Sequence, residues 1–346
     1  MTLGVGILGF AHPHVEAYCR RWRDQPDMGV AVVAGWDHDS GRLADCAERN
    51  ACEAVPDAAA LLARPDVQGV VIGAETSRHA ALVAEAARAG KPIVVQKPLA
   101  LTREQADEIV DAVESAGVPF TMAWQMRVDP QNLKMKELVD SGALGRICMV
   151  RRRHGLATHT WEGFDTSWHV DPECNRDIWA DDAAHPCDLV YWMFGMPASV
   201  TAELGTLVNE KIPNDNGVAV FRYADGMIAT VSCSFTCVAG ENTTEIIGAD
   251  GVVIQNFGDS PSCNVPRPPD AVALKWYLKD RGRWECSDIA SPPNHGERIA
   301  ALAGPLAEFL AGRRGPIAGA REGRDVLRMV LACYDSDGQG RRVFLK

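Results

Sequence analysis

No apolar run in this chain approaches the roughly 20 residues that a membrane-spanning helix needs. No Cys-x-x-Cys pair occurs, and the eleven cysteines are odd in number and scattered. That pattern argues against a disulfide framework and for reduced thiols in a cytoplasmic protein. Positive charge is scarce. The formal net charge is −11, and the one basic cluster, Arg151–Arg153, is too short to reverse it. Neither nucleic acid nor an anionic membrane surface is therefore an expected partner. The first ten residues lack the basic flank and small-residue cleavage site of a signal peptide. There is no internal repeat and no low-complexity tract. His159, His169, Asp181, Asp182 and His185 crowd one region with donors that suit zinc. Tight ligand spacing such as His-Glu-x-x-His is missing, so no metal is expected.

What remains is the profile of a globular protein. The chain has 346 residues, 47% of them hydrophobic and 23% charged, enough for two domains that each bury a core. Apolar strand-like runs at Leu3–Leu8, Val30–Trp36, Val67–Ile72, Ile93–Val95 and Pro119–Ala123 alternate with helical patterns. Those cover Val15–Arg23, Ser40–Asn50, Asp57–Ala63, Arg78–Ala89 and Arg103–Ala116. Such alternation predicts an α/β fold with a doubly wound parallel sheet of the Rossmann type over residues 1–124. Residues 125–346 read as a second domain. Its strand-like segments at Gly145–Arg153, Ser199–Leu207, Gly217–Tyr223, Met227–Phe235, Thr243–Gly248 and Val252–Gln255 are separated by turn signals such as Ala224-Asp-Gly226. They predict a large, mostly antiparallel sheet. Asp259–Pro269 reads as an exposed loop, and Glu297–Arg313 and Ala320–Gly338 as closing helices.

The first strand, turn and helix form the place where a dinucleotide pyrophosphate rests on a helix N-terminus. The Gly-x-Gly-x-x-Gly fingerprint is degraded there, with Gly9, Ala11 and His14 in the three slots. Asp37 ends the second strand, where a carboxylate accepts ribose hydroxyls and repels a 2′-phosphate, so NAD is favoured over NADP. The plainer reading of Asp37 is a turn or cap residue before Ser40. Ligands gather outside the carboxyl ends of strands in such sheets, and Lys97 sits there, between Gln96 and Pro98. Its plainer reading is a surface lysine in a strand-to-helix turn.

Gly6-Ile-Leu-Gly9, Asp37, Arg78-His79, Ala89–Ala100 with its Lys97-Pro98, Arg127, Leu138–Ile147, Asp181–Asp188 and Glu245–Gly251 together resemble the Gfo/Idh/MocA oxidoreductase family. The resemblance spans nearly the whole chain. It implies an NAD(P)-dependent dehydrogenase or reductase of sugars, polyols and related cyclic alcohols, commonly assembled as a homodimer or homotetramer. It also implies a cofactor site drawn from Gly9, Phe10, Ala11, His12, Asp37, His38, Ala74, Glu75, His79, Gln96, Lys97 and Gln125. The substrate would meet Lys97, Arg127, Trp168, Asp181 and His185. On one helix Asp181 and His185 share a face. His185 is expected to take the hydroxyl proton, Asp181 to orient it, and Lys97 to stabilise the oxyanion over the same nicotinamide face.

Two departures stand out. Gln96 replaces the family's glutamate, and Asn175, Arg176 and Asp177 occupy the slots of a glycine-rich run. They motivate one alternative, a redox-neutral NAD-dependent glycosidase or lyase working by transient oxidation and elimination; the crowd of histidines and carboxylates, with His12 and His14 in the nucleotide turn, motivates another, a non-catalytic binding protein on the same scaffold. The aromatic stretch Gly155–Trp179 is expected to be a folded, substrate-facing loop. Arg151 and Arg153 share a strand face, solvated or turned to an acidic sugar.

Overall fold

The structure, a computed structural model, describes residues 2–239, 241–261 and 271–345. The chain forms two compact units: Met1–Gln125, Glu173–Asn175 and Ile299–Leu327 in the first, and Met126–Pro172, Arg176–Arg298 and Arg328–Lys346 in the second.

The first unit contains β1 (Leu3–Leu8), α1 (Pro13–Asp24), β2 (Val30–Trp36), α2 (Ser40–Asn50), β3 (Glu53–Ala54), α3 (Ala58–Leu62), β4 (Gly69–Ile72), α4 (His79–Arg88), β5 (Ile93–Val95), α5 (Arg103–Ala116) and β6 (Phe120–Met122). The sheet order is β3-β2-β1-β4-β5-β6, with every neighbouring pair parallel. Helices cover both faces of such a sheet, which explains why β4 and β5 are buried at every residue and read as unbroken apolar runs. Asp39, Asp57 and Thr102 start α2, α3 and α5 by accepting the amides of Arg42, Ala60 and Gln105. Strand order reverses at β1 and β4, the switch point where ligands bind in open α/β sheets.

The second unit contains α6 (Pro130–Asp140), β7 (Ile147–Gly155), α7 (Ile178–Asp182), α8 (Ala184–Phe194), β8 (Ser199–Gly205), β9 (Asn216–Arg222), β10 (Ile228–Ser234), β11 (Glu241–Gly248), β12 (Gly251–Pro261), β13 (Leu274–Leu278) and β14 (Arg283–Cys286). With a last strand, β15 (Val343–Phe344), they form a nine-stranded sheet in the order β14-β13-β12-β11-β7-β10-β9-β8-β15. Only the β7–β10 pair is parallel. Residues alternate between faces along β7: Val150, Arg152 and His154 are buried, whereas Arg151 and Arg153 are exposed. The helix α8 packs on β7 and β10. Arg151 pairs with Glu245 directly across the sheet at 2.7 Å, so that arginine is a solvated strand residue.

Several boundaries differ from expectation. The strand β12 runs on to Pro261, so residues 259–261 of the loop expected over Asp259–Pro269 are strand, and residues 262–270 lie outside the described residues. The β13–β14 hairpin has no counterpart among the expected strands. The segment expected as one helix at Glu297–Arg313 is two, α9 (His295–Ala300) and α10 (Ala303–Leu310), followed by α11 (Ala320–Gln339).

A single division after residue 124 needs correction, because 299–327 folds into the first unit. The Trp22 indole N–H donates to the Ala303 carbonyl at 2.8 Å. Leu310 lies against Gly69 of β4. The Met122 amide of edge strand β6 donates to the Ala318 carbonyl at 2.9 Å. The first 125 residues therefore leave apolar surface and a strand edge that this later segment covers. Among the described residues no helix is long and apolar enough to cross a membrane.

Candidate active site

The residues expected at the nucleotide lie in the first unit. The chain turns at Gly9 with φ +88°, and a Cβ there would come within 2.4 Å of Ala74 Cα. Only glycine allows the turn after β1 to approach the turn after β4 this closely. The Gly9 amide donates to the Trp36 carbonyl at 2.7 Å and the His12 amide to the Gly73 carbonyl at 2.8 Å. The helix α1 starts two residues earlier than expected, with Pro13 in its first turn and His12 as N-cap, whose Nδ1 accepts from the His14 amide. His14, the third slot of the fingerprint, is thus inside the helix, its ring edge-on to His12 at 4.4 Å.

Asp37 is buried at the end of β2 and accepts the amides of Phe10 and Asp39 and the guanidinium of Arg42. Burial pushes its carboxyl up, but these hydrogen bonds outweigh burial and hold it below its ordinary value. Glu75, also buried, meets the same Arg42 at 2.8 Å, and exposed His38 lies beside both carboxylates. His79 bridges two segments: Nδ1 is 3.0 Å from the Pro98 carbonyl and Nε2 is 3.1 Å from the Ala74 carbonyl. Its part is to tie the turn after β4 to the segment that follows Lys97.

Lys97 is only 2% exposed, and Gln96 and Gln125 are fully buried. Gln96 Nε2 donates to the Tyr18 hydroxyl at 2.9 Å. Its Oε1 makes no hydrogen bond among the described residues, leaving a buried acceptor at the carboxyl end of β5. A tight glycine turn, a helix N-terminus and this orphaned acceptor fit a nicotinamide dinucleotide.

Asp181, His185 and the residues around them lie in the second unit. Here α7 and α8 are separated at Ala183, so Asp181 and His185 stand on different helices. The carboxylate set against His185 is Asp182, whose Oδ1 is 3.6 Å from Nε2. The other oxygen of Asp182 is 2.8 Å from Nε2 of His154 on β7. Asp181 instead pairs with His169 Nδ1 at 3.3 Å. The break between helices corrects the expectation that a single helical face carries the acid–base pair. All three members of the His154–Asp182–His185 row are buried.

Behind them runs a buried chain of hydrogen bonds from Arg152 to Thr244, to Gln255 and to Asn132, each at 2.9 Å or less. His154 and Arg152 were overlooked in the sequence. Their signal was the same alternation that sets Arg151 and Arg153 outside.

Arg127, expected at the substrate, grips the Asp188 carboxylate with Nε and Nη2 at 3.1 and 2.7 Å, and both side chains are buried. Of the stretch 155–179, Gly155 ends β7, Ile178 and Trp179 open α7, and the residues between form a loop with three short 3₁₀ turns. Trp168 stacks on His169 at 4.0 Å, and His169 on Phe164 at 5.5 Å. Trp179 belongs to the core, over Gly217 of β9, while Trp161 is exposed. Among the described residues no group of His, Cys, Asp and Glu is arranged to hold a metal ion.

Residues 3–124 match the profile of the oxidoreductase family with an NAD-binding Rossmann fold, and residues 132–254 match the GFO/IDH/MocA C-terminal domain. An inositol 2-dehydrogenase of Acidothermus cellulolyticus is 30% identical over 262 residues, which are 72% of this chain and 70% of that protein. The chain belongs to the Gfo/Idh/MocA family. A D-apiose dehydrogenase of Paraburkholderia graminis is 26% identical over 362 residues, covering 99% of this chain and 88% of that one. The structure of a levoglucosan dehydrogenase in complex with NADH has the same fold, with TM-score 0.84 over 100% of both chains at 20% identity.

As a Gfo/Idh/MocA oxidoreductase with an NAD-binding Rossmann unit, this protein also gives physical reasons for its departures. Gln96 meets the buried Tyr18 phenol with a neutral amide, where a glutamate would carry a buried charge. Asn175 is buried and accepts from the Thr76 hydroxyl ahead of α4. Asp177 caps α7 through the Ala180 amide and accepts from Asn214 and Tyr334. Arg176 holds φ +76°, a conformation natural to glycine, and its guanidinium lies over the Tyr334 ring. Arg176 thus takes a left-handed backbone without being glycine.

Proposed function

We propose that this oxidoreductase dehydrogenates a secondary hydroxyl of a sugar, polyol or related cyclic alcohol, using NAD, with Lys97 and His185 acting on the reacting hydroxyl. The observation that carries the reading is the buried His154–Asp182–His185 row. An imidazole that faces a carboxylate accepts a hydroxyl proton readily, because Asp182 stabilises the imidazolium that forms. The nicotinamide, when bound, supplies the hydride acceptor. Lys97 is a buried cation at the carboxyl end of β5, suited to stabilise an alkoxide as the proton leaves. Asp181 orients His169, and the stacked Trp168–His169 pair offers an apolar face to a sugar ring. Arg127 acts through Asp188 in fixing α8, which carries His185. The reading includes a homodimer or homotetramer joined through the exposed sheet face that bears Val218 and Trp284; elution as a monomer in light scattering would remove that part.

The test is a panel of cyclitols, sugars, anhydrosugars and sugar acids with NAD, followed at the nicotinamide absorbance. Lys97→Ala and His185→Ala should each lower turnover by about 10²-fold or more while NAD still binds. Full activity in both variants would remove these residues from the reaction, and no NADH from any member of the panel would refute the dehydrogenase reading.

A further inference from the structure

The carboxylate at the end of β2 is met by protein donors at both of its oxygens. Asp37 Oδ2 accepts from the Phe10 amide at 2.7 Å and from Arg42 Nε at 2.8 Å. Its Oδ1 accepts from the Asp39 amide at 2.9 Å and from Arg42 Nη2 at 2.7 Å. A carboxylate has about four lone-pair sites, and four donors fill them here. The same Nη2 lies 2.8 Å from Glu75 Oε1. One guanidinium is therefore shared by two buried carboxylates, brought in from the ends of β2 and β4. The rest of the surroundings are known: His38 Nδ1 is 3.3 Å from Asp37 and 3.5 Å from Glu75, Arg78 is 3.7 Å from Glu75, and Asp39 is exposed. Three carboxylates against two guanidinium groups leave one net negative charge before His38 is counted.

We propose that Glu75 is the residue that sets the dinucleotide preference, acting through Arg42. Asp37 and Glu75 together fix and neutralise the guanidinium, so that a 2′-phosphate, with a charge near −2, meets a cluster of like sign. The Arg42 side chain is 25% exposed. Its Nη1, which makes no hydrogen bond among the described residues, donates to an uncharged ribose hydroxyl. Recognition then runs from a donor on Arg42, with Asp37 serving as its anchor and Glu75 as its gatekeeper. Removing the Glu75 charge brings the cluster from one net negative charge to none and leaves Arg42 Nη2 without its second carboxylate, free to meet a phosphate.

The inference rests on dinucleotide binding by the first unit, and the test reads binding without hydride transfer. NAD, NADP, adenosine 5′-phosphate and adenosine 2′,5′-bisphosphate are titrated calorimetrically at one fixed low salt concentration. The proteins are the wild type, Glu75→Gln, Arg42→Gln and the double variant. The wild type is expected to favour NAD over NADP by about tenfold or more. Glu75→Gln should shift that ratio about tenfold or more toward NADP, with the bisphosphate following NADP. Arg42→Gln should shift it further toward NAD, and the double variant should lose the gain. A Glu75→Gln ratio equal to wild type, a gain that survives without Arg42, or a wild type indifferent to the 2′-phosphate would each overturn the proposal. If Glu75→Gln does not fold, the Arg42→Gln ratio decides, and no shift there overturns it. A wild type that fails to bind NAD at all would overturn the nucleotide assignment itself and the gatekeeper with it.

Discussion

Replacing Arg127 with alanine should unfold the second unit far more easily, and the geometry sets the size of the effect. Three N···O distances of 2.7 to 3.1 Å join Arg127 to Asp188, and the two side chains are 3% and 0% exposed. Exposed ion pairs contribute about 0–1 kcal/mol. Breaking a buried pair by removing one partner costs about 3–5 kcal/mol, because the other charge is left unpaired away from water. At roughly 2–4 °C per kcal/mol for a unit of this size, the melting transition should fall by about 6–20 °C. The loss should centre on the second unit, since both residues belong to it. Differential scanning calorimetry with a urea titration measures it. The double variant Arg127→Met with Asp188→Leu should recover most of the loss, because well-packed apolar side chains replace such pairs at little cost. A loss below about 1 kcal/mol in Arg127→Ala, the range of a surface pair, would refute the reasoning and return Arg127 to the substrate.

Asp182→Asn should lower kcat by about 10²-fold, since His185 loses the charge that stabilises its protonated form. NAD affinity, titrated separately, should be unchanged, and an unaltered kcat would remove the His154–Asp182–His185 row from the chemistry. His79 is fully buried, and burial lowers its pKa although the nearby carbonyls of Leu99, Ala74 and Pro98 raise it. A depressed native pKa means that its stabilising contribution is complete above the unfolded value of about 6.5 and is lost as pH falls through the native value. Urea midpoints between pH 8 and 5 should therefore fall on acidification more steeply in wild type than in His79→Gln. Equal slopes would refute this account.

The parallel sheet was legible because burial on both faces writes itself as an unbroken apolar run. β1, β2, β5, α2 and α5 have the bounds that the pattern of apolar runs suggested. The β13–β14 hairpin was not legible, since Lys275, Trp276 and Tyr277 are each only half-buried and show no clean alternation. Lys97, Asp37 and His185 stood out by position, at strand ends or in a dense cluster of titratable groups. Which carboxylate faces His185 could not be read from spacing, because the answer depends on a helix break at Ala183 and on His154, 28 residues before Asp182. The pairing of Asp37 with Glu75 through Arg42 joins residues from two strand ends. Local periodicity has no means of recording such a meeting.

The return of residues 299–327 to the first unit has a consequence for biogenesis. A ribosome that has released only the first 125 residues has released a nucleotide fold with exposed apolar surface on α1 and β4 and an uncovered edge at β6. Its completion waits for synthesis to pass the Ala318 carbonyl. The nucleotide fold is thereby withheld from nearly every truncated product. Grafting residues 1–125 onto another catalytic partner would transplant an unfinished part.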